Sequence, residues 1–447
     1  MYRLLLASFL LVVGCGPAGE APVGLVQDLN PGTDAANPED LISWDGYVYM
    51  QATDPDYGSE IWRYDGRALE RVSDIEPSSG NSAPARFFEF DGKLYLTALL
   101  DAFGREVWMF DGTALEQIGD INPGPDSAMP TDFTEALGTI YFRANDGRRG
   151  FELWKLEDGA PQLAFDVEPG PGSSNPGYLT AFGDELCFAA QVAAVGTELH
   201  CATEDRVRTV ADINPGPSGS RPSEMTVVGD RMYFAAYRVE SGNELYMYDG
   251  ESVELVRDIE PGEASSNPRG LYEWDGYLYF SAATAEAGTE VWRVDPDGNA
   301  AMMLDLNAGP ASSSPHAFIE FEGALYFVAE DAANGMELRR TDGTDVFLVA
   351  DVSPGPLGSD PTGFSVVGDR MFFSARDPQV GAELRMTDGV SVELMADLRP
   401  GPVGANPSKM TLAPGDQVCF SATADETGRE FYCLPRTGIP QTEAGSN

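Results

Sequence analysis

Nine copies of one unit constrain this chain more than any other feature of its sequence. An aspartate recurs at positions 28, 74, 120, 166, 212, 258, 305, 351 and 397, in steps of 46 residues with a single step of 47. Most copies begin Asp-x-x-Pro-Gly, as between Asp120 and Gly124, and a proline follows ten positions after each aspartate. A Gly-x-Glu recurs as well, with its glutamate at 60, 106, 152, 198, 244, 290, 337, 383 and 430. A fixed period of this size marks an array of one supersecondary unit. It overrides the roughly three domains that length alone suggests.

Within the second unit, Phe87–Phe90, Leu94–Leu99, Arg105–Phe110 and Leu115–Gly119 read as strands, with Asp-Gly turns at Asp91 and Asp111. Asp-Gly between alternating apolar runs is a strong hairpin signal. Helical spacing is absent, so the fold class is all-β. Four strands per unit match a propeller blade. A four-stranded blade is about 14 Å wide, and ten extended residues reach about 33 Å. The Asp-x-x-Pro-Gly segment can therefore return from an outer strand to the next inner one. The ninth unit lacks a fourth strand after Cys433, while a spare one, Val23–Gln27, precedes Asp28. The expectation is a nine-bladed β-propeller whose last blade is closed by the N-terminal strand; an open superhelical array is the alternative. The repeated aspartates read as turn caps, and the repeated glycine as the source of a positive φ between the second and third strands.

These units resemble the ELWxxDGT repeat family of bacterial secreted and surface proteins. The match rests on Glu152, Leu153 and Trp154 with Asp158 and Gly159, and on Glu106, Val107 and Trp108 with Asp111, Gly112 and Thr113. It extends from residue 23 to about 434. In other units the tryptophan position holds His200, Tyr246, Arg339, Arg385 or Tyr432. The resemblance implies a propeller-like surface protein and confers no defined activity.

The N-terminus reads as an address. Arg3 precedes an apolar run from Leu4 to Val13, too short to span a bilayer and suited to a signal peptide over residues 1–14. The stretch from Leu11 to Cys15 resembles a lipobox, which implies that Cys15 becomes the lipidated first residue. Residues 15–22 then form the lipidated N-terminus and linker, 23–437 the propeller domain and 438–447 a disordered tail. Gly16 stands where an inner-membrane retention aspartate would be, so the expected location is extracytoplasmic, at the outer membrane or cell surface. With 28 basic against 72 acidic residues the net charge is −44. That argues against nucleic acid, which needs clustered Lys and Arg, and against a basic membrane-docking patch. Two histidines argue against a His-rich metal site. The expected partners are the membrane through the lipid alone and an unidentified surface protein or glycan, with the chain a monomer.

One second-strand position reads Tyr49, Tyr95, Tyr141, Cys187, Tyr233, Tyr279, Tyr326, Phe372, Cys419. Fourteen residues on come Arg63, Met109, Lys155, Cys201, Met247, Arg293, Arg340, Met386, Cys433. Every aromatic is matched by a cation or methionine, and each cysteine by a cysteine. A hairpin symmetric about its loop sets these residues face to face. Two disulfides follow, Cys187–Cys201 and Cys419–Cys433, with Cys15 left for lipid and an oxidising compartment implied.

Residues present in every unit serve the fold; a site should appear as a departure. Asp54, Asp56 and Glu60 surround a tight turn with the hard oxygens that calcium takes, so calcium is the one cofactor the sequence leaves open. Arg339, Arg340 and Arg385 form an anion candidate, against which stands ion pairing with Glu337 and Glu383. His200 and His316 have no nucleophile at a useful spacing, and no nucleophile elbow or phosphate loop occurs. Glu89, Glu135, Glu273 and Glu320 lie on the inner strands, where paired carboxylates can carry acid–base chemistry. The leading expectation is a lipid-anchored, noncatalytic binding, adhesion or scaffold protein. The alternatives are an extracytoplasmic polysaccharide-active enzyme using channel carboxylates and a calcium-stabilised structural surface protein.

Overall fold

Asp91 and Gly92 both take positive φ, 49° and 69°. The chain therefore reverses between Ala85–Phe90 and Lys93–Leu100 within two residues. The same device, followed by Gly104–Phe110 and Leu115–Gln117, builds an antiparallel sheet of four strands. The computed structural model describes residues 23–435. These form nine such sheets, each ordered from an inner to an outer strand. Every inner strand touches the inner strand of the next blade, and that of the ninth touches that of the first. The molecule is a nine-bladed β-propeller around a central channel. The segments expected to be signal peptide, lipidated linker with Cys15, and tail, residues 1–22 and 438–447, lie outside the described residues.

The closing strand is the one expected from the spare segment. Gly24–Gln27 pairs antiparallel with Gly428–Pro435, Gly24 opposite Cys433 and Leu25 opposite Tyr432. It covers the edge that the ninth blade would otherwise expose. The alternative of an open superhelical array is thereby excluded.

Apolar residues alternate along each strand, and both faces of each blade are covered by neighbours. The core is accordingly divided into nine clusters, one per blade–blade interface. One joins Tyr49 and Ile61 of blade 1 to Leu94 and Leu96 of blade 2. Another joins Val48, Met50 and Trp62 of blade 1 to Cys419 and Phe431 of blade 9, so the seam between last and first blades is packed like the rest. The glycine before each buried glutamate has two reasons to be glycine. Gly242 has φ 71°, and a Cβ there would lie 1.9 Å from the carbonyl oxygen of Ala264 in the loop leading to the next blade. Two of the repeated aspartates cap that loop: Asp258 and Asp305 accept the backbone N–H of Gly262 and Gly309 at 3.2 and 3.1 Å.

Candidate functional site

Nine glutamates, one per blade, are completely buried on the third strand. Each reaches the loop that leads to the next blade. Glu152 accepts the N–H of Val167 and of Ser174 at 2.8 Å and the Ser174 hydroxyl at 2.6 Å. Glu198, Glu244, Glu290 and Glu337 take a serine hydroxyl in the same way, from Ser220, Ser266, Ser313 and Ser359. Glu106, Glu383 and Glu430 find Ala128, Ala405 and Ala36 in that place and accept backbone N–H groups only. Burial pushes these three carboxyls up to about 7, with a nearby aspartate adding to the rise. Burial also raises the serine-bonded group, against the pull of its hydrogen bonds. These are structural clamps, as expected of residues present in every copy.

The paired positions lie in register. Tyr49 faces Arg63, Tyr95 faces Met109, Tyr141 faces Lys155 and Phe372 faces Met386. Cys187–Cys201 and Cys419–Cys433 are bonded, each with Cα atoms 4.1 Å apart. The cations do not lie over the facing rings. Arg63 sits 4.4 Å from the ring centre of Tyr47, and Arg293 5.1 Å from that of Tyr277. The facing Tyr49 and Tyr279 are buried in the interface to the next blade.

Two candidate sites do not assemble. Asp54 turns its Oδ1 to the N–H groups of Asp56 and Tyr57, both at 2.8 Å. Glu60 is buried on the Ser73 hydroxyl and the Ile75 N–H at 2.6 and 3.1 Å. The three carboxylates of the calcium candidate are therefore not gathered around one point. Among the described residues one group of three ligand-type side chains converges, Glu185, Cys187 and Cys201. Its cysteines form the disulfide and its carboxylate pairs with Arg208 at 2.8 Å. The anion candidate fails for a related reason. Arg339 is buried and bonded to Asp331 across its hairpin, and Arg385 lies 3.6 Å from Asp377. Arg340 packs over Phe347 at 5.5 Å. The ion partners are these hairpin aspartates rather than Glu337 and Glu383, whose oxygens hold the following loops. His200 is buried too, its Nδ1 3.0 Å from the Glu198 carbonyl and its Nε2 3.0 Å from the Thr209 hydroxyl. Burial lowers its pKa.

What the sequence did not disclose is a bulge in every inner strand. In blade 1 the register shifts between Glu39 and Ile42, and the equivalent shift recurs in each blade. The second residue of each inner strand takes a left-handed φ: 51° at Asp40, 59° at Arg86, 62° at Asp132, 56° at Tyr178, 60° at Glu224, 62° at Gly270, 55° at Ala317, 70° at Gly363 and 60° at Lys409. Side chains at bulges are re-aimed away from the sheet. Asp40 and Glu224 each accept the backbone N–H of the next blade's bulge residue, Arg86 at 2.8 Å and Gly270 at 2.9 Å. Three positions farther along, Glu89, Glu135, Glu273 and Glu320 are exposed, as their inner-strand placement implied. Of the eighteen residues at these two positions seven are acidic and two, Arg86 and Lys409, are basic, so the wall carries a net negative charge.

Between blades 1 and 3 this wall opens into a cavity of about 420 Å³. Asp40, Arg86 and Asp132 line it with Phe87, Phe88 and Phe133. Two carboxylates, one arginine and three phenyl rings share its lining. Thr131 donates to Asp132 at 3.1 Å and Arg143 lies 3.9 Å from the same carboxylate. The arrangement can hold a cationic group beside an apolar one.

No known family's model matches the chain, and no curated protein matches it. Among solved structures it is similar to a prolyl endopeptidase, with a TM-score of 0.45 and 11% identity, over 76% of this chain and 54% of that one. It is similar to a puromycin hydrolase, with a TM-score of 0.38 and 16% identity, over 92% and 62%. It is also similar to the β-propeller domain of the Trilobed protease from Pyrococcus furiosus, with a TM-score of 0.39 and 12% identity, over 71% and 98%. The expectation of a noncatalytic adhesion or scaffold surface stands against this set, whose members are named a prolyl endopeptidase, a puromycin hydrolase and the propeller of a protease. The chain spans 54% of the prolyl endopeptidase and 62% of the puromycin hydrolase, and at these identities the likeness is one of fold alone.

Proposed function

We propose that the propeller handles peptides, receiving a basic segment at the channel cavity of blades 1 to 3. The observation that carries this reading is the pair Asp40 and Asp132, from the blades on either side of that of Arg86, lining one cavity with Phe87, Phe88 and Phe133. A lysine or arginine side chain brings a charge for the two carboxylates and a stem for the phenyl rings. Arg86 and the peptide's own carbonyl groups fit as donor and acceptors. The net negative charge of the channel wall beyond the cavity favours approach of a cationic chain.

The test is a titration of the full-length protein with a fluorescent hexapeptide containing Lys and Arg, beside the same peptide with Glu at those positions. The basic peptide is expected to bind at least tenfold more tightly. The double variant Asp40→Asn, Asp132→Asn should remove most of that difference. Asparagine tolerates the left-handed φ at both positions, so the fold is kept. Equal binding of both peptides, or binding unchanged in the variant, overturns the reading.

The address belongs to the same proposal: a lipid on Cys15 and an extracytoplasmic setting, supported by the lipobox-like sequence and the two disulfides. Incorporation of a fatty-acid analogue, lost in Cys15→Ser, checks it.

A further inference from the structure

A second cavity, of about 460 Å³, lies on the loop between blades 4 and 5. Its volume falls within the range of small-molecule sites. Arg221, Ser223, Tyr237 and Asn243 line it together with Ser218. Four other cavities among the described residues each hold a carboxylate in their walls, among them Asp40, Asp212, Asp230 and Glu254. This one holds none. In a chain of net charge −44, a concave surface with an arginine and no acid is a marked local reversal of sign.

Its residues are departures from the repeat. The position of Arg221 is asparagine in four units, Asn37, Asn175, Asn267 and Asn406, and always left-handed there, at φ 46° to 50°. Arg221 adopts φ 53° without the local hydrogen bonding that makes asparagine suited to that region. Its guanidinium is exposed and has no ion-pair partner among the described residues. The left-handed φ itself belongs to the repeat, since Ala83 and Met129 take it too, at 40° and 50°, so the departure is the exposed arginine side chain. Tyr237 is 39% exposed, and its counterparts, such as Gln191 and Ala283, are not aromatic. No other unit combines an arginine and a tyrosine at these two positions.

The geometry points to a binding site for a uronic acid, as a free sugar or the end of an acidic oligosaccharide. The guanidinium fits the carboxylate bidentately. The tyrosine offers a ring face with a polar rim. The asparagine and serines supply the donors and acceptors that sugar hydroxyls need. This site is separate from the channel cavity and does not rest on the peptide reading.

Calorimetric titration of the full-length protein with a uronic-acid disaccharide, its neutral hexose counterpart and a short peptide with a free C-terminal carboxylate tests the assignment. The acidic sugar is expected to bind at least tenfold more tightly than either of the others. Arg221→Asn should weaken it at least tenfold, and Tyr237→Ala should weaken both sugars. Arg221→Asn installs the residue that four other units carry, so an unchanged melting temperature separates lost binding from lost fold. No binding of the acidic sugar, equal binding of the neutral sugar or the peptide, or binding unchanged in Arg221→Asn overturns it.

Discussion

Glu430 accepts the backbone N–H of Ala36 at 2.9 Å, from 394 positions away in the chain. The same carboxyl accepts the N–H of Leu29 at 3.3 Å. The last blade is thus tied to the loop that enters the first, beside the Gly24–Gln27 strand. Glu430→Ala leaves two buried donors unpaired, each costing roughly 1–3 kcal/mol. A loss of roughly 2–4 kcal/mol is expected in denaturant unfolding, together with faster amide exchange over residues 24–37.

Stability should fall as pH rises from about 4.5 to about 7 through the three clamps that lack a serine. Glu106, Glu383 and Glu430 hold their protons to about pH 7 in the folded protein. The unfolded chain releases them near the ordinary value, so between the two pKa values the folded state binds more protons. Their contribution is complete below about 4.5 and lost above about 7, on the order of 1–3 kcal/mol each. Ala128→Ser, Ala405→Ser and Ala36→Ser together supply the hydroxyl that Ser174 gives Glu152. Unfolding midpoints measured from pH 4.5 to 8 should then decline less steeply than in the parent.

Each disulfide joins cysteines 14 positions apart, and loss of such a bridge costs about 3 kcal/mol in chain entropy. Cys187→Ser with Cys201→Ser, and Cys419→Ser with Cys433→Ser, should each lower the melting temperature. Titration of the denatured, unreduced protein should find none of these four thiols free.

Arg385 occupies a position that is tryptophan in four units and sits buried with its Nε unpartnered. Burial lowers its pKa. Replacing a buried ion pair by well-packed apolar groups is neutral or stabilising by about 1–4 kcal/mol. The double variant Arg385→Trp, Asp377→Asn should therefore melt no lower than the parent. A marked drop would show that Arg385 has a role beyond packing.

The architecture was legible because a repeat reports every contact nine times. The facing of Tyr49 and Arg63, and of Cys419 and Cys433, followed from a hairpin symmetric about its loop. The partners of the charged groups were not legible. Arg339 and Glu337 are two residues apart on one strand, yet Glu337 is taken by Ser353 and Ser359 from the next loop, and Arg339 turns to Asp331. The stacking of Arg63 on Tyr47 rather than Tyr49 depends on packing between blades, which spacing along one strand does not encode. The bulge positions have no common residue type, since aspartate, arginine, tyrosine, glutamate, glycine, alanine and lysine all occupy the same place. The carboxylate-free cavity depends on what three separate stretches omit, the loop 218–223 and the positions of Tyr237 and Asn243.

The bulges have a consequence for how such a protein diversifies. A residue lifted out of the strand ladder contributes little to blade packing, so its identity is set by what meets it in the channel. Nine such positions, one per blade, make the channel lining a combination that selection can reset letter by letter while the surrounding frame stays constant. A gene lineage built on this ring can acquire new molecular preferences without renegotiating its fold.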